Sequence, residues 1–147
     1  MMTASDGRRR VRKRWREGPR SYNLHFEIEV KAAAARVYEA WLDSMIHAEM
    51  IGRHVQTSAR VGAAFVRGVT SGINVELTPG KRIVEAWRND DWRDGDYSLV
   101  TVTFESQGEK TKLILDHKGI PQYDKGHLEK GWGEFYLPKV QAYFVGR

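Results

Sequence analysis

A chain of 147 residues with 41% hydrophobic and 29% charged side chains fits one folded domain, since a single core serves roughly 100–150 residues. The absence of cysteine excludes a disulfide scaffold, a thiolate metal site and a cysteine nucleophile. The net charge of +5 belongs to residues 1–20, where eight Arg and Lys side chains face only Asp6 and Glu17, so the remainder of the chain is close to neutral.

Residues 1–20 are polar, charged and closed by Gly18-Pro19, which reads as a flexible basic arm preceding a domain over residues 21–147. Clustered Arg and Lys suit electrostatic attachment to nucleic acid or acidic lipid, but a charge run alone provides no shape, so a solvated tail without a partner is the expectation. No apolar run approaches the ~20 residues needed to cross a bilayer, and the N-terminus lacks the apolar segment of a secretory signal. The expectation is a soluble, unexported, cytoplasmic protein, monomeric or homodimeric.

Tyr22, Leu24, Phe26, Ile28 and Val30 alternate with polar residues, the period-two pattern of a strand with one apolar face. Val37, Tyr38, Trp41, Leu42 and Met45 then recur at helical spacing and predict an amphipathic helix from Ala32. Ser44 is the expected cap of a second short helix through Ile46 and Met50, stopped by Gly52.

The middle of the chain repeats short strand signals: 55–59, 63–66, then Ile73, Val75 and Leu77, then 83–87, and then Val100, Val102 and Phe104. Gln107-Gly108-Glu109 is a hairpin turn into 112–117, where Leu113 and Leu115 share a face opposite Ile114. Connections this short imply an antiparallel meander, because parallel neighbours need crossovers of about a dozen residues or more. Trp92 lies in the acidic loop 89–96 and is expected to tuck against the sheet.

Leu128, Trp132, Phe135, Tyr136, Val140, Tyr143 and Phe144 follow helical spacing and predict a long terminal helix with an aromatic face. Pro138 should kink it near its middle, and Gly126, Gly131 and Gly133 are expected where the sheet approaches its backbone closely. The order predicts an α+β fold in which this helix covers the apolar face of the sheet.

Within this pattern, Ala34-Ala35-Arg36-Val37-Tyr38-Glu39-Ala40-Trp41, Val84-Glu85-Ala86-Trp87-Arg88, Thr101-Val102-Thr103-Phe104-Glu105 and Gly131-Trp132 with Tyr136 resemble the activator of heat-shock-protein-90 ATPase type, within the START-like superfamily. The resemblance covers about residues 22–145. It implies a helix-grip fold, in which a curved antiparallel sheet wraps the terminal helix and leaves an apolar cavity. It also implies two uses: holding a small apolar or aromatic molecule in that cavity, or contacting a chaperone as a protein-interaction module with a role in stress response.

Trp41, Ile46, Met50, Phe65, Trp87, Phe104, Trp132 and Tyr136 are the candidate ligand-binding residues, although most of the aromatic ones are expected first as core side chains. His47-Ala48-Glu49 with His54 offers imidazole and carboxylate but no recognised metal spacing, so no metal or cofactor is assigned. No nucleophile elbow, phosphate loop or dinucleotide fingerprint is present, so no catalytic residue is assigned. The primary expectation is noncatalytic ligand binding. A chaperone-associated module is the alternative, with a cyclase- or hydrolase-like enzyme further behind.

Overall fold

A computed structural model describes residues 20–147, and the basic arm lies outside them except for Arg20. The seven strands are β1 (Ser21–Val30), β2 (Val55–Gln56), β3 (Ala64–Arg67), β4 (Thr70–Thr78), β5 (Arg82–Asn89), β6 (Ser98–Gln107) and β7 (Lys110–Pro121). They form one antiparallel sheet in the order β1-β7-β6-β5-β4-β3-β2. All strands from β2 to β7 neighbour their sequence successors, as short turns require, while β1 closes the far edge on β7. Breaks in register at Tyr22/Leu24 and Asn74/Glu76 add local twist and bend the sheet into a curved surface.

Both sheet edges are protected against further pairing. β2 is two residues long, and β1 carries His25, Glu27 and Glu29 on its exposed face beside Lys110, Lys112 and Asp116 of β7.

Helices α1 (Ala34–Leu42) and α2 (Ser44–Ile51) follow β1. The cap of α2 is Asp43, whose carboxylate accepts from the Ile46 N–H at 2.9 Å, and not Ser44 as the sequence suggested. The Ser44 hydroxyl instead donates to the Thr57 carbonyl and accepts from the Thr57 N–H, both at 3.0 Å, which ties the helix to the segment after β2. Gly52 ends α2 in the left-handed conformation, at φ +69°.

The terminal helix, α3, has three parts: an α turn His127–Lys130, a π-helical stretch Gly131–Tyr136, and an α segment Leu137–Tyr143. Pro138 has no N–H to give to the preceding turn, and that turn is the one that is widened, with the Leu137 N–H donating to the Trp132 carbonyl. The expected proline effect therefore takes the form of a π stretch. The three glycines also separate. A side chain at Gly133 would meet the Phe26 ring at 3.0 Å, which is the close approach anticipated; a Cβ at Gly131 would have nothing within 4 Å. Gly126 instead supplies a left-handed residue just before the helix, at φ +77°.

The core lies between the concave face of the sheet, α1, α2 and α3. Trp41, Phe65, Ile83, Leu113, Leu115, Ile120, Leu137 and Phe144 are buried there. Each such side chain stabilises the fold by roughly 1.5–3 kcal/mol relative to exposure. Trp92 does tuck inward: its indole N–H donates to the Asp124 carboxylate at 3.2 Å, and the Tyr22 hydroxyl donates to the same carboxylate at 2.9 Å.

Candidate functional site

A cleft of about 270 Å³ opens where β3, β4 and β5 meet α3. Its aromatic walls come from Trp87, Trp132, Phe135 and Tyr136, and its aliphatic parts from Ile51, Val69 and Leu128. Four of the six residues of the π stretch line it: Gly131, Trp132, Phe135 and Tyr136. A π turn admits one more residue per turn than an α turn, so adjacent positions that an α-helix would fan apart share this wall.

Two buried histidines hold the two inner aromatic side chains. His47 donates from Nδ1 to the Trp41 carbonyl at 2.7 Å, which leaves Nε2 to accept the hydroxyl of Tyr136. His117 accepts the Trp132 indole N–H at Nδ1 at 2.9 Å and gives its Nε2 proton to the Ser98 hydroxyl at 2.6 Å. Ser98 in turn donates to the Trp87 carbonyl at 2.9 Å. Burial pushes both histidines down to about 3, and the charge of Arg67 adds to the effect at His47. Burial also pushes the Tyr136 hydroxyl well above its ordinary value. Both imidazoles are therefore neutral acceptors at physiological pH.

A buried ion pair forms the base of the cleft. Arg67 makes a two-pronged contact with Glu85, one prong at 3.1 Å, and its guanidinium lies 4.1 Å from the Phe65 ring centroid. Gly72 makes this stack possible, because a Cβ there would come within 2.6 Å of the Phe65 ring and 1.9 Å of the Ala86 carbonyl. Burial alone would lower the Arg67 pKa, but Glu85 and the Tyr136 hydroxyl more than offset it, so the group is held firmly cationic. The Nε of Arg67 is buried without a hydrogen-bond partner.

Of the residues singled out from the sequence, Trp87, Trp132 and Tyr136 stand on the cleft walls. Trp41, Met50, Phe65 and Phe104 are buried in the core, and Ile46 is half-buried against it. Trp41 reaches the site through Tyr136, with ring centroids 5.8 Å apart. His47 is part of the scaffold, and among the described residues no group of three His, Asp or Glu side chains is arranged to hold a metal ion. Sequence reading missed Arg67 and Glu85. Arg67 shares strand parity with Phe65, and Glu85 sits inside the apolar run Ile83 to Trp87; an ionic residue at an inward position was the available signal.

The convex face of the sheet carries a second feature. Register places Ala64 beside Ile73, Ile73 beside Ala86 and Ala86 beside Leu99, an apolar line across β3, β4, β5 and β6. Ile73 is 42% and Leu99 40% exposed, with Val66 and Val75 also exposed on the same strands. The expected strand alternation of Ile73 and Val75 is real, but their side chains face outward; Gly72 and Asn74 take the inward positions. The Asn74 side-chain NH2 donates there to the carbonyls of Ser58 and Arg60, while its Oδ1 is buried without a partner. Among the described residues no helix is long and apolar enough to cross a membrane.

Comparison with known proteins connects this architecture to a family. The chain is 32% identical over 79 residues to the human activator of 90 kDa heat shock protein ATPase homolog 1, a match covering 54% of this chain and 23% of that protein. It is 36% identical over 78 residues to the Dictyostelium discoideum activator homolog, covering 52% of this chain and 20% of the relative. The chain thus spans about a quarter or less of these curated relatives. A solved structure described as an HSP90 activator from Plasmodium falciparum is similar over 85% of this chain and 95% of its own, at 27% identity and a TM-score of 0.75. A Rhizobium leguminosarum protein shares the fold alone, at 20% identity and a TM-score of 0.75, over 88% of this chain and 98% of its own. Residues 31–144 match the model of the Activator of Hsp90 ATPase homolog 1-like proteins, and with its helix-grip fold the chain belongs to that family.

Proposed function

We propose that this domain is a chaperone-associated protein-interaction module that contacts an ATPase of the 90 kDa heat-shock type through the outer face of its sheet. The observation that carries this reading is the convex-face line in which exposed Ile73 and Leu99 flank half-buried Ala86, in a chain whose relatives are named as activators of that ATPase. Apolar surface left continuous across several strands marks a contact site more often than a solvated face. The work of such a module belongs in the cytoplasm and to the stress response. The test is calorimetric titration of the purified protein into a purified chaperone of this type, alongside the chaperone's ATP hydrolysis rate. A saturable complex with an altered rate is the expected result. Absence of both binding and rate change would sink the proposal.

A second reading is favoured by a separate observation, the aromatic cleft between sheet and α3. In it the domain holds a small molecule without transforming it, using Trp87, Trp132 and Tyr136 as walls. The neutral histidines behind these side chains act as hydrogen-bond supports and expose no reacting group to the cleft. This reading assigns the protein no catalytic residue and no cofactor.

A further inference from the structure

The charge of the cleft distinguishes among the small molecules it would accept. Besides its aromatic walls it is lined by Arg53, Arg67, Lys139 and His127, and among the described residues no Asp or Glu lines it. Glu85 neutralises Arg67 from behind. Arg53 and Lys139, both exposed at the rim, form no salt bridge among the described residues; Lys139 donates only to the Ile51 carbonyl, at 3.3 Å. Among the described residues the rim therefore keeps uncompensated positive charge around an apolar interior. Within, Arg67 holds a buried Nε donor that nothing satisfies, and an unpaired donor out of water is destabilising until an acceptor reaches it.

Resting on the ligand-binding reading above, we propose that the cleft selects a small amphipathic anion: one or two apolar rings bearing a carboxylate or sulfonate. The rings pack against the exposed Phe135 ring and over the buried, mutually contacting Trp87 and Trp132, and the anionic group faces Arg53 and Lys139. Volume sets the size. At about 270 Å³ the cleft lies just below the usual range of ~300–1,000 Å³ for drug-sized ligands, which admits a compact aromatic molecule and not a long chain.

Two probes with the same skeleton test the charge requirement. 1-Anilinonaphthalene-8-sulfonate and N-phenyl-1-naphthylamine differ by one sulfonate, and Trp87 and Trp132 in the wall serve as fluorescence donors to either. In low salt the sulfonate should bind about tenfold more tightly, the contribution of two solvent-screened ion pairs. Its advantage should fall as salt is raised, because exposed charges are screened. The Arg53→Gln/Lys139→Gln variant should lose that advantage and still bind the neutral probe, and Gly131→Leu, which fills the cleft, should weaken both. Equal affinity of wild-type protein for the two probes overturns the anion preference and leaves ligand binding intact. Failure of both probes to bind, or sulfonate binding unaffected by Gly131→Leu, overturns the cleft as a ligand site altogether.

Discussion

His47 and His117 each present one nitrogen lone pair to an aromatic side chain of the cleft wall, and they can do so only while neutral. Both titrate near 3 in the folded protein, chiefly because they are buried, against about 6.5 in an unfolded chain. Between those values the unfolded state binds protons that the folded state refuses, so stability must fall as pH drops below 6.5. Each histidine removes about 1.4 kcal/mol per pH unit well below pH 6.5 and less near it, so urea melts should lose about 2.5 kcal/mol between pH 7 and pH 5.5. His25 acts in the opposite direction, its pKa raised by Asp116 and Glu27, but it is exposed and its effect is weak. His47→Gln retains an amide that can donate to the Trp41 carbonyl and accept from Tyr136, and it should halve the slope. A flat profile over this window would contradict the arrangement. None of this was legible in the sequence: His47 and Tyr136 are 89 positions apart, and the spacing of His47 to Glu49 and His54 matched no motif that would have given the histidine a role.

At the scale of elements, the period-two run in β1 and the paired inward leucines of β7 were readable because one face of each strand is solvated and the other is packed. β4 was readable as a strand but not in its orientation. Ile73 and Val75 point out, Leu77 beyond the bulge packs against the core, and the inward positions hold Gly72 and Asn74, required for the Phe65 ring and for two carbonyls of the loop before β3. The start of α2 shows the same limit on a smaller scale. Asp43 and Ser44 are both good cap residues, and only the position of Thr57, thirteen residues on, decides between them. Asp43→Ala should cost about 1 kcal/mol in chemical denaturation through loss of the Ile46 N–H partner, the usual worth of a cap. The π stretch in α3 was invisible for a related reason. Pro138 announces a lost hydrogen bond, but whether the helix bends or widens depends on what the resulting surface packs against.

Across the whole molecule, the convex line of Ile73 and Leu99 and the cleft at Gly131 lie on different faces of one domain, so the two proposed functions can be separated by substitution. Gly131 is in helical conformation, at φ −56°, and a Cβ placed on it meets nothing within 4 Å, so Leu is tolerated sterically and is the better helix former by about 1 kcal/mol. Gly131→Leu should keep or raise the melting temperature, weaken binding of both naphthyl probes, and leave chaperone binding unchanged. Ile73→Asp with Leu99→Asp should do the reverse. Both positions are about two-fifths exposed, and surface substitutions usually shift stability by no more than about 0.5 kcal/mol. Introducing two carboxylates into an apolar contact leaves charges to be desolvated, so chaperone affinity should fall steeply while probe binding persists. If Gly131→Leu instead abolished chaperone binding and the double aspartate variant retained it, the protein contact would have to run through the cleft, with a partner side chain occupying the space assigned to the small anion.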